Sequence, residues 1–76
     1  MQRREGVGGG VRLTDFWYRL EQVFGPGYAA SVAHDQVLAQ LNGRTIAEAL
    51  AGGVETVVVW RAVVSAYPDR VPSRLR

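Results

Sequence analysis

The chain has 76 residues, 47% of them hydrophobic and 21% charged, and no cysteine. That length allows one domain with a modest core, the composition is globular rather than disordered, and disulfides and thiolate ligands are excluded. The pI near 9.7 comes from the ends. Residues 1–12 carry Arg3, Arg4 and Arg12 against Glu5, and residues 68–76 carry Arg70, Arg74 and Arg76 against Asp69. Between them, Arg19, Arg44 and Arg61 are outnumbered by Asp15, Glu21, Asp35, Glu48 and Glu55, so the central segment is mildly acidic. Every basic residue is arginine, a usage that suggests a GC-rich genome. No apolar run approaches the ~18 residues needed to cross a bilayer, and no hydrophobic segment follows the N-terminal arginines as a secretory signal requires. A cytoplasmic protein without membrane association is expected.

Residues 1–10, with Gly6, Gly8, Gly9 and Gly10, are expected to be a disordered extension, because ordering glycine is entropically costly. The first helix is predicted to start after Thr14 as N-cap, with Asp15 in its first turn. Phe16, Leu20, Val23 and Phe24 recur at helical spacing and Trp17 widens the stripe. Gly25-Pro26-Gly27 ends it. A second helix is predicted from Tyr28 to Leu41. Ala30, Ala33, Val37, Leu38 and Leu41 lie on one side, with Tyr28 and Val32 nearly opposite, a pattern of a helix between two neighbours. Asn42-Gly43 is read as its stop. Thr45-Ile46-Ala47-Glu48 matches a capping box and opens a short third helix that Gly52-Gly53 ends.

The fourth segment, Val54 to Tyr67, contains Val57-Val58-Val59, a run with strand propensity. Val57, Trp60, Val64 and Tyr67 nevertheless fall on one helical stripe, and a lone strand would have no partner, so a helix is predicted. Residues 68–76, with two prolines and three arginines, read as a basic flexible tail. The expected architecture is all-α: a bundle of three main helices plus one short helix over residues 11–67, with a helix-turn-helix-like C-terminal half. The expected core is Leu13, Phe16, Trp17, Leu20, Val23, Phe24, Val32, Val37, Leu38, Leu41, Ile46, Leu50, Val57, Trp60, Val64 and Tyr67.

Little in this set points to catalysis. His34 adjoins Asp35, and adjacent helical residues point about 100° apart, so the two cannot form an orienting dyad. Ser31 and Ser65 have no base at a recognisable spacing. The carboxylates are scattered, without metal-ligand spacing. Gly6–Gly10 follows no strand and lacks the Gly-Lys-Thr ending of a phosphate loop. Neither an enzyme activity nor a cofactor, metal or small-molecule substrate is expected.

Two interaction readings remain. Thr45 to Val63 has helix-turn-helix spacing, but a reading helix needs Arg, Asn or Gln to reach base edges. Only Arg61 and Arg44 are candidates there, with Arg70, Arg74 and Arg76 as weak, nonspecific nucleic-acid contacts. On the outer face expected for the fourth helix, Val58, Val59 and Ala62 form an apolar patch, a candidate surface for a protein partner or a second copy of the chain.

Residues 11–67 resemble a family of short actinobacterial proteins, domain of unknown function 3046. The resemblance is carried, in order, by Val11-Arg12-Leu13-Thr14-Asp15-Phe16-Trp17, by the stretch from Tyr28 to Leu38, by Gly43 to Val54, and by Val59-Trp60-Arg61-Ala62-Val63. Glu55-Thr56 stands where family members carry Asp-Pro at a helix start. Members begin with methionine where this chain has Val11, and valine's GTG codon can initiate translation in bacteria. The resemblance therefore implies that residues 1–10 precede the native start, which an intact-mass measurement of the endogenous protein checks. It also implies, through genes often found beside the recombinase A gene, an association with DNA repair or its regulation. The leading expectation is a small non-catalytic protein-interaction module; the alternative is a degenerate helix-turn-helix DNA-binding protein.

Overall fold

A computed structural model describes residues 11–76; the expectations for residues 1–10 lie outside it. In chain order the elements are α1 (Leu13–Phe24), α2 (Ala29–Asp35), β1 (Val37–Leu38), β2 (Arg44–Thr45), α3 (Ile46–Ala51) and α4 (Thr56–Ala66). Single 3₁₀ turns occupy Ala39–Leu41 and Ser73–Leu75. The fold is thus mostly helical with a two-stranded antiparallel ribbon, Val37 opposite Thr45 and Leu38 opposite Arg44, rather than all-α.

α1 begins two residues earlier than its best capping side chain would place it. Arg12 takes the N-cap position without a side-chain cap, and Thr14 lies inside the first turn. A tertiary tether acts instead: the Thr56 hydroxyl, at the start of α4, donates to the Val11 carbonyl. At the other end Gly25, at φ +94°, turns the chain out of the helix while its N–H still donates to the Glu21 carbonyl at 2.8 Å. That positive φ suits glycine, and Pro26 bars helical continuation.

The long second helix is corrected to a seven-residue one. Gln36 is extended, and its N–H closes α2 on the Val32 carbonyl. The reason lies downstream. Asn42 (φ 60°) and Gly43 (φ +77°) turn the chain back so that residues 37–38 pair with 44–45. The connection over residues 39–43, a 3₁₀ turn closed by Asn42 and Gly43 at positive φ, competes successfully with helix propagation. Leu38 and Leu41 still reach the core, whereas Val37 points out, 61% exposed.

α3 forms as expected. Thr45 Oγ1 accepts from the Glu48 N–H at 3.0 Å, and the Glu48 carboxylate accepts from the Thr45 N–H at 2.8 Å. Its end is a Schellman arrangement around Gly53 (φ +91°): the Val54 N–H donates to Ala49 and the Gly53 N–H to Leu50.

α4 is a helix throughout, so residues 57–59 do not pair as sheet. It is also the most enclosed element. Val59, Trp60, Ala62 and Val63 are all buried, and the helix packs against α1, α3, β1 and the 3₁₀ turn after β1. Phe16 sets the centre of the core, edge-on to Trp17 at 5.7 Å and to Trp60 at 5.8 Å between ring centroids. Trp60 is fully enclosed and Trp17 half-buried. Of the residues expected in the core, Leu13 is 52% exposed and joins Val37 outside it, and half-buried Val57 does not belong to it either. Ala29, Ala33, Ala49, Val59, Ala62, Val63, Val71 and Leu75 belong to it as well.

The reading of residues 68–76 as a flexible tail is corrected too. The segment folds back as a strap over α4. Val71 and Leu75 are buried, the Trp60 indole N–H donates to the Leu75 carbonyl at 2.8 Å, and Arg76 donates to the carbonyls of Val71 and Pro68. A buried indole N–H needs an acceptor, and the strap supplies it.

Candidate functional site

The ends of α1 and α4, the outer side of α2 and the first residues of the strap enclose an open cleft of about 380 Å³. Its lining is Phe24, Tyr28, Val32, Gln36, Tyr67 and Arg70. Tyr28, Val32 and Gln36 are four residues apart and so stack on one side of the α2 segment. Tyr28 and Val32 are the two residues that the sequence sets apart from the main apolar side of that helix. The buried side holds only Ala29 and Ala33, which lets α2 sit close to α1 and α3. The adjoining side is only partly covered: Val32 is half-buried against the core, and Tyr28 is 70% exposed.

Across the cleft, Phe24 and Tyr67 meet edge to face, 5.1 Å between centroids with planes at 82°. The Arg70 guanidinium carbon lies over the Phe24 ring at 5.0 Å. Arg70 is placed by the turn that begins the strap, in which the Arg70 and Val71 N–H groups both donate to the Tyr67 carbonyl, at 3.0 and 3.2 Å. Burial of Val71 fixes that turn from beneath. The cleft therefore has aromatic walls, an aliphatic patch at Val32, and polar tips from two phenols, one carboxamide and one cation.

The candidate surface on α4 does not survive in its expected form. Val58 is 44% exposed, but Val59 is 0% and Ala62 6% exposed, because the buried side of the helix is centred on Val59, Trp60 and Val63 rather than on Val57, Trp60 and Val64. What α4 shows to solvent is a narrow line of Glu55, Val58, Arg61 and Ser65. The Ser65 hydroxyl there accepts a long, 3.5 Å hydrogen bond from Gln40.

The arginines separate into engaged and free-standing ones. Arg44 Nε donates to the Leu41 carbonyl, Arg70 stacks on Phe24, and Arg76 ties down the strap. Arg61 and Arg74 are exposed. Arg19, a residue not singled out by sequence, lies over the Trp60 ring at 5.8 Å. His34 and Asp35 are both exposed at the end of α2. Among the described residues no three His, Asp or Glu side chains cluster as metal ligands, and no helix is long and apolar enough to cross a membrane.

Sequence reasoning reached four of the six cleft residues under other roles: Phe24, Val32 and Tyr67 as core, Arg70 as a tail charge. Tyr28 was legible as the odd apolar residue on the far side of its helix. Gln36 carried no local signal.

These features define a small, mostly helical domain with an open aromatic cleft and a C-terminal strap that helps build it. A family model described as a protein of unknown function, DUF3046, matches residues 11–74, and the chain belongs to that family. No curated protein and no solved structure matches the chain.

Proposed function

We propose that the protein is a small non-catalytic interaction module of the cytoplasm, and that the aromatic cleft is where its protein partner docks. One observation carries this reading: the Tyr28 and Val32 side of the α2 segment is only partly covered within the chain, with Tyr28 70% exposed at the cleft. An uncovered, concave apolar surface with a few convergent polar groups is the usual form of a binding site. Tyrosine and arginine, both at this rim, are enriched among residues that carry binding energy. Involvement in DNA repair or its regulation is proposed on the gene neighbourhood attached to the family resemblance.

DNA reading by α4 is the weaker alternative. A recognition helix presents several base-reading side chains along one free face. Only Arg61 stands on the exposed line of α4, beside Glu55, Val58 and Ser65.

Two variants separate the readings. Tyr28→Ala and Arg61→Ala both change exposed side chains, so each should stay folded, with stability within about 0.5 kcal/mol of the parent. Docking through the cleft predicts that a partner captured from lysate of the source organism is lost with Tyr28→Ala and kept with Arg61→Ala. The opposite pattern, together with salt-sensitive retention on duplex DNA that Arg61→Ala removes, would reject it.

A further inference from the structure

We propose that the occupant of this cleft is an acidic peptide segment: an aliphatic or aromatic side chain seated between Phe24 and Val32, with a neighbouring Asp or Glu paired to Arg70. The inference rests on the docking reading above and specifies its ligand.

Charge complementarity is the argument. The six lining residues include one cation and no carboxylate; Asp35 and Asp69 adjoin lining residues in sequence but do not line the cleft. Every polar tip in the lining, the two phenols, the Gln36 amide and the Arg70 guanidinium, can donate a hydrogen bond. The phenols and the amide also accept, so the preference for an anionic acceptor rests on Arg70, which only donates.

Arg70 is also held in advance. Its contact with Phe24 is through the ring face, which consumes none of the five guanidinium donors, so the fork stays available to a carboxylate. Its backbone is fixed by the two N–H bonds to the Tyr67 carbonyl and by buried Val71. A pre-placed guanidinium loses less side-chain freedom when it pairs than one on a mobile tail does. A volume of about 380 Å³ is at the small end of ligand sites, which run from about 300 to 1,000 Å³. It suits one or two side chains of a peptide rather than a large cofactor.

Selection of a random heptapeptide display library on the full-length protein, with counter-selection on Tyr28→Ala, tests this. The expected result is enrichment of Asp or Glu within two positions of Leu, Ile or Phe. Arg70→Gln should weaken a selected peptide about fivefold, the scale of one solvent-accessible ion pair, and added salt should do the same. Selection on Arg70→Glu should turn the enrichment toward Lys and Arg. Cleft-dependent peptides without acidic enrichment, or affinities indifferent to Arg70→Glu, would overturn the proposal and leave docking at the cleft standing. If no peptide is lost on counter-selection, both fail. Concentration-dependent dimerisation abolished by Tyr28→Ala would assign the cleft to a second copy of the chain and overturn the acidic-peptide occupant.

Discussion

Two buried aliphatic side chains hold the C-terminal strap against α4, and shortening either one should release part of that energy. Val71 and Leu75 are 2% and 9% exposed. Leu75→Ala removes three buried carbons, about 2.4 kcal/mol at roughly 0.8 kcal/mol per methylene. The site is peripheral and can close over the gap, so the cost should sit near the bottom of the range of about 2–5 kcal/mol known for Leu→Ala in cores. Val71→Ala removes two carbons and should cost about 1.5 kcal/mol. The two losses should not add. Holding the strap in place costs about 1–2 kcal/mol per residue in backbone entropy, so its net docking energy, larger than either single loss but smaller than their sum, caps what the substitutions can remove. Once one substitution has released it, the second has little left to remove, and the double variant should fall short of the sum. Urea unfolding followed by tryptophan fluorescence measures this directly, because Trp60 lies under the strap and donates to the Leu75 carbonyl. Both single variants with midpoints and slopes equal to the parent, or within about 0.5 kcal/mol of it, would refute the docked strap and restore the frayed tail.

Other expectations follow from single features. Thr45→Ala removes one half of a complete capping box and should cost about 1 kcal/mol, measured by chemical denaturation, with Thr45→Ser recovering most of it. Gly53→Ala places a Cβ in open space but at φ +91°, so the loss, about 1 kcal/mol, should reflect backbone strain alone. Val58→Asp should leave a folded protein by circular dichroism, whereas Val59→Asp buries an unpaired carboxylate at a fully enclosed position and should unfold it.

Much of this fold is readable locally. α1 and α3 follow from apolar spacing and punctuation: Gly25-Pro26, the Thr45–Glu48 box, Gly52-Gly53. The second helix misleads because Ala30, Ala33, Val37, Leu38 and Leu41 satisfy a helical period while Asn42-Gly43 satisfies a hairpin. Only the pairing of residues 37–38 with 44–45, a contact between segments, decides it. In α4 the difficulty is a surplus of signal. Val57, Val58, Val59, Trp60, Ala62, Val63 and Val64 are apolar nearly all round, so no single face is singled out by periodicity. The deepest side proves to be the one with Val59 and Val63. The strap is hidden by its own composition, since two buried aliphatics among prolines and arginines look like a solvated tail. The cleft is least legible of all, because its six residues come from two distant stretches of chain, 24–36 and 67–70, that only the tertiary fold brings together.

Site-specific photocrosslinking puts the docking surface to the most direct test. A photoreactive phenylalanine analogue is introduced in place of Tyr28, at the cleft rim, and separately in place of Arg61, on the exposed line of α4, and the protein is irradiated in cells of the source organism. Docking in the cleft predicts a discrete protein adduct from position 28 and none of the same size from position 61. Adducts from position 61 alone, or equal labelling from both, would contradict it.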